Sequence, residues 1–156
     1  MCLIKLFNLS SKKIKLTVIL ISIFFYLISL TQDAVVFNDY DGHKTLTSLG
    51  MLLMGSTAIL GGGLLEWLVW LANPIFIIAL FTYSISNKSS VVFSSIASLI
   101  SLSFICWQEI LAAENGRLAQ ISSLETGYWF WLSAMIILSS GILYDRFVLD
   151  NQGNFI

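Results

Sequence analysis

Charge is what this sequence has least of. Only 11% of its 156 residues are charged, against 57% hydrophobic, whereas a soluble domain carries about 25% charged and roughly 45–50% apolar residues. A water-soluble fold of this length would bury only part of such an apolar surface. That excludes an ordinary soluble domain and leaves lipid as the solvent for the remainder. Histidine is nearly absent too, and a lone His43 removes acid–base schemes built on imidazole and any histidine-rich zinc pattern. Of the two cysteines, Cys2 stands at the N-terminus and Cys106 inside an apolar run, so both read as free thiols. Met1-Cys2 has no apolar segment before it and is not a lipoprotein signal. A net charge of -1 supplies no field for nucleic acid. A phosphate loop, a dinucleotide fingerprint and a nucleophile paired with a base are likewise missing from the sequence. The expectation is a non-enzymatic protein with no cofactor, metal or nucleic-acid partner.

What is present is a series of continuous apolar runs. A bilayer core about 30 Å thick takes about 20 mainly apolar residues in a helix, and unbroken rather than alternating runs point to helices. The first run, residues 16–30, follows Lys12, Lys13 and Lys15. It suits either a membrane helix or a signal peptide; the large polar residues of Gln32-Asp33-Ala34 at its exit oppose cleavage, so an uncleaved helix is expected. Residues 31–45 read as a polar loop. Apolar sequence then runs on to Ser86, interrupted by Gly61-Gly62-Gly63 and Asn73-Pro74. The reading is an all-α, polytopic transmembrane helix bundle of four spans, about 14–31, 64–86, 91–111 and 128–144, with a short outer interfacial or re-entrant segment at about 46–62.

Basic residues choose between this layout and one with five spans, because Lys and Arg collect on the cytoplasmic side. If residues 46–63 do not cross, Lys5, Lys12, Lys13, Lys15, Lys88 and Arg146 share one side, leaving Lys44 and Arg117 on the other. Crossing weakens the bias. Both termini are therefore expected to be cytoplasmic. Trp67, Trp70, Trp107, Trp129 and Trp131 then fall at the outward helix ends, the headgroup level that tryptophan prefers.

Four residues form the candidate polar site: Glu66, Asn73, Glu109 and Arg117. A carboxylate in or beside a span is costly and is by default a functional candidate; Glu66 also suits a capping role at the start of its helix. At Asn73-Pro74 the proline frees the Trp70 carbonyl, and Asn73 is placed to hydrogen-bond across the bundle. Glu109, at the outer end of the third span, is expected near Glu66, with Arg117 as a partner. Asp39, Asp41 and His43 alternate in the first loop, but too few ligands converge there for a stable metal site. Ser94/Ser98 and Ala97/Ser101 stand four apart, as do small residues that let helices approach closely; packing is the expected role, a serine-lined conduit the other.

Trp70-Leu71-Ala72-Asn73-Pro74 and Gly127-Tyr128-Trp129-Phe130-Trp131-Leu132-Ser133-Ala134-Met135, taken with the four-span layout, resemble small uncharacterised four-span bacterial inner-membrane proteins. The likeness covers roughly the C-terminal two thirds and implies the bacterial inner (plasma) membrane as location. Expected partners are the lipid bilayer and a membrane component: a subunit, a lipid, a pore-forming toxin neutralised in the manner of an immunity protein, or a second copy in a homo-oligomer. The alternative function is a small transporter or channel using the outer carboxylates.

Overall fold

The computed structural model describes residues 2–40, 42–112 and 116–153, with side chains for 12–40, 42–112 and 116–147. In chain order the elements are α1 (Cys2–Ser29), β1 (Asp33–Asp39), β2 (Gly42–Thr47), α2 (Ser48–Gly55), α3 (Leu64–Trp70), α4 (Ala72–Ser84), α5 (Ser90–Ser103), β3 (Glu109–Leu111), β4 (Leu118–Leu124) and α6 (Thr126–Gly153). Short 3-10 turns occupy Ala58–Gly61 and Phe104–Cys106.

The chain is mixed α/β, which corrects the all-α expectation. An antiparallel sheet has the order β2-β1-β4-β3; β1 and most of β2 come from the expected polar loop 31–45, β4 from the polar stretch before the last helix, and β3 from the end of the expected third span. Hydropathy alone conceals such strands, because one face is wetted and the polar residues alternate with the buried ones. In β1, Ala34, Val35 and Phe37 are buried while Asp33 and Asn38 are exposed. Asp39 pairs with Gly42 and Asn38 with His43, so β1 and β2 form a tight hairpin, with Gly42 at φ 113° where a side chain would be strained.

The four-span layout is corrected as well. Among the described residues, two helices are long and apolar enough to cross a membrane, Leu64–Ser84 and Thr126–Phe147. The predicted third span, 91–111, divides: α5 ends at Ser103, the chain tightens into a 3-10 turn, and Trp107 turns extended at φ -81°, ψ 139°. Its last residues become β3, pairing Glu109 with Gln120 and Leu111 with Leu118. Ser90–Cys106 is thus a shorter apolar helix. Beyond Tyr144 the sequence continues helical to Gly153 rather than leaving as a tail. Residues 46–62 close β2 and then form α2 and a 3-10 turn; eight helical residues rise only about 12 Å, well short of a bilayer core.

Helices α1 and α5 run toward the sheet, α3–α4 and α6 away from it. Their core is small residues alternating with large ones: Ala72, Phe76, Ala79 and Tyr83 of α4, Ala97 of α5, and Ala134, Met135, Leu138 and Ile142 of α6. The small-residue face of α5 is a packing face. Ser94, Ser98 and Ser101 are buried, and Ser98 Oγ donates to the Met135 carbonyl at 3.1 Å. Across the bundle Ser22 Oγ donates to the Ala134 carbonyl at 2.7 Å, and a Cβ on Gly141 would stand 2.4 Å from a Val18 methyl, so α1 and α6 touch there through glycine.

At the end away from the sheet, α4 closes with Ser86 in the left-handed region at φ 61°. Ser86 N–H donates to Tyr83 O at 3.0 Å and Asn87 N–H to Thr82 O at 2.9 Å, the paired bonds that satisfy a helix's last carbonyls. Glycine is usual there; serine adds an acceptor. Lys15 Nζ donates to Ser86 Oγ and to the Ser84 carbonyl, each at 2.8 Å, and Arg146 donates to the Ser86 carbonyl at 3.1 Å.

A second core lies between the sheet and the helix ends, made by Phe37 and Ile110 from the strands and Phe104, Tyr128 and Leu132 from below. This core positions the site.

Candidate functional site

Beneath the sheet is a cavity of about 610 Å³. Its roof is the inner face of the strands (Ala34, Phe37, Leu46, Ile110), one side is α2 and the following turn (Met51, Leu52, Met54, Ala58, Leu60), and its floor is Val69, Trp70, Asn73, Phe104, Tyr128 and Trp131. A concave, mostly apolar volume of this size with a few polar groups is the usual form of a small-ligand site.

The side wall is held by one bond and one contact. Trp70 Nε1 donates to the Leu52 carbonyl at 2.7 Å, and a Cβ on Gly55 would lie 2.5 Å from the Trp70 ring. Only glycine lets α2 sit on the indole. The same segment leaves Leu53, Met54 and Leu60 exposed, the last 86%, and Met54 and Leu60 also line the cavity.

Of the four sequence candidates, the cavity wall takes Glu66 and Asn73 and leaves out Glu109 and Arg117. Asn73 is a structural tie. Its Nδ2 donates to the Trp70 carbonyl at 2.9 Å, the acceptor that Pro74 leaves unserved for want of an N–H. Its Oδ1 accepts from Tyr26 Oη at 3.0 Å and Trp131 Nε1 at 2.8 Å, joining α1, α4 and α6. Glu66 is half-buried. Its Oε1 accepts the Leu111 N–H at 2.8 Å, a donor on the open edge of β3; it covers a strand edge that would otherwise invite pairing. Glu109 is exposed on β3 rather than closing a helix. Arg117 forms an ion pair with Asp39.

Sequence reasoning missed two groups. Ser48 belongs to the cavity wall, and its Oγ is buried with no hydrogen-bond partner among the described residues; nothing in the sequence marks it apart from other serines. Asp39 is expected from the sequence, with Asp41 and His43, as a loop acid weighed as a metal ligand; its place in a hairpin follows from the strand pairing. Its side chain, 4% exposed, accepts from Arg117 and from Lys44 Nζ at 2.5 Å, and the Arg117 guanidinium lies 4.8 Å over the Tyr40 ring. Asp39 thereby staples β2 and the β3–β4 turn onto β1. No group of three or more metal-ligating side chains occurs among the described residues; Asp41 lies outside them.

The Arg117 hydrogen bond first, and that of Lys44 second, hold the Asp39 carboxyl well below the usual carboxylate range. A folded-state pKa below the unfolded one stabilises the fold above the unfolded value, about 3.9, and that contribution drains away as pH falls through and below it. The expected result is a fall in the melting temperature of the sheet between about pH 5 and pH 3, followed by tryptophan fluorescence. Asp39→Asn should start less stable at pH 7 and lose less over the same interval; equal acid sensitivity in both proteins would place the titration elsewhere.

No protein-family model, curated protein or solved structure matches this chain.

Proposed function

We propose that this is an integral protein of the bacterial inner membrane that binds a membrane lipid, without chemistry, in the cavity beneath its sheet. The observation that carries the reading is the cavity itself: about 610 Å³, walled by apolar side chains and flanked by the exposed Leu53, Met54 and Leu60. Exposed apolar residues contiguous with an apolar cavity suit a ligand that arrives from lipid rather than from water. Large apolar side chains also stand outward along the helices, Leu20, Phe24 and Leu27 on α1, Ile77 and Phe81 on α4, Leu99 on α5 and Leu143 on α6. A water-facing surface of that composition is unstable.

Orientation follows from charge. Lys12, Lys13, Lys15, Lys88 and Arg146 belong to the helix ends and turn opposite the sheet, whereas Lys44 and Arg117 at the sheet side are taken up by Asp39. The basic end is cytoplasmic and the sheet faces outward, with both chain ends inside. A reporter fused after Gly153 should be active only in its cytoplasmic form.

The binding reading is tested by lipid retention. Protein moved from lipid nanodiscs into detergent should keep bound lipid when weighed by native mass spectrometry. Val69→Trp and Ala58→Trp, which fill the cavity from two sides, should each remove most of it while the tryptophan melt stays near that of the unmodified chain. Equal retention in all three would sink the proposal.

A further inference from the structure

The cavity has a polar signature that distinguishes one lipid head from another. Among the described residues lining it, Glu66 alone is an acid and none is a base. One Glu66 oxygen is occupied by the Leu111 N–H; the other, which lies near Gly63, has no donor among the described residues. A carboxylate can accept hydrogen bonds and cannot donate them.

Resting on the lipid-cavity reading above, we infer that the cavity selects an amphiphile with a primary ammonium head, which Glu66 holds while the acyl chain fills the apolar part. An ammonium has N–H donors and positive charge and no acceptor, the complement of this wall. A quaternary ammonium head has the charge but no N–H. A head whose only charge is a phosphate meets the Glu66 carboxylate as a like charge in a poorly solvated place and is disfavoured.

The experiment uses the full chain in nanodiscs containing equal amounts of phosphatidylethanolamine, phosphatidylcholine and phosphatidylglycerol with identical acyl chains. Native mass spectrometry reads the lipid retained. The ethanolamine lipid should be enriched about tenfold over the glycerol lipid, the size of one charge-assisted hydrogen bond, with the choline lipid between them. Glu66→Gln keeps an oxygen for the Leu111 N–H, so the sheet edge stays covered, and it should bring the ratio close to that of the disc. Retained lipid with no head preference, a preference for the anionic lipid, or a ratio unchanged in Glu66→Gln would overturn the ammonium assignment and leave the lipid cavity standing. A peptide found in place of lipid, or nothing retained at all, would overturn both.

Discussion

Asn73→Leu should cost the fold about 2–5 kcal/mol, the largest loss expected from any single polar side chain in the helical core. Leucine fills nearly the same space but leaves three groups without partners: the Trp70 carbonyl, the Tyr26 hydroxyl and the Trp131 indole N–H. A buried polar group stripped of its partner costs about 1–3 kcal/mol; bonds between membrane helices are worth somewhat less, about 0.6–2 kcal/mol, which sets the lower bound. Tyr26→Phe and Trp131→Phe remove one donor each and leave Asn73 Oδ1 served by the other, so each should cost about 1 kcal/mol. Asn73→Asp separates the two duties of the side chain: it keeps oxygens for Tyr26 and Trp131, loses the donor to Trp70 and buries a charge. Thermal unfolding in one detergent, followed by tryptophan fluorescence, ranks the four. A leucine variant as stable as the unmodified chain would show that the polar tie is dispensable.

Gly127→Ala should be the second severe change, at about 3 kcal/mol or more. Overpacking a tight site typically costs about 1–3 kcal/mol, and this site has little freedom to give. The added Cβ would stand 2.2 Å from Ser48 Oγ, 2.6 Å from the Asp33 carbonyl and 2.9 Å from that of Gln32. Two of those three atoms are backbone and cannot rotate away. The Gln32 carbonyl also accepts the Ser48 N–H at 3.0 Å, so the turn after α1, β1, α2 and α6 all meet at this glycine, and separating them opens the roof of the cavity. The expected result is a lower melting temperature together with loss of retained lipid. Adding Ser48→Gly relieves one contact of the three and should restore only a minor part of the stability. Full restoration would mean that the side chain, not the backbone, sets the limit.

Much of this was legible one residue at a time. The Asn73-Pro74 pair announced both the freed Trp70 carbonyl and a bond across the bundle, because proline's missing N–H is a local fact that tertiary structure cannot change. The serines of α5 likewise read as a packing face. The sheet was not legible. β2 is exposed along nearly all its length, and β4, Leu-Ala-Gln-Ile-Ser-Ser-Leu, intersperses its apolar residues with polar ones, so an average of hydropathy reports both as loops. Residues 107–111 failed in the opposite sense: apolar enough to extend a helix, they turn extended because Gln108 O accepts from Ile121 N–H at 2.8 Å, a partner that no local pattern reveals. Glu66 stood out as a carboxylate beside a span, but its bond to a strand edge depended on a strand that had not been foreseen. Ser48 gave no signal at all, since only the surrounding structure distinguishes an unpaired serine from a paired one.

The pairing of β1 with β4 has a further consequence, in the order in which the chain is made. Val35 finds Leu124, and Asn38 finds Gln120, across most of the length of the protein. At about 5–20 residues per second, the hairpin of β1 and β2 waits on the order of ten seconds with one edge open and Phe37 uncovered, while α2 to α5 are being synthesised. The roof of the cavity is thus closed by nearly the last part of the chain to emerge. Synthesis halted before Leu118 would yield a product with its helical core begun and its outer face gaping, a substrate for quality-control proteases rather than a smaller working version of the protein.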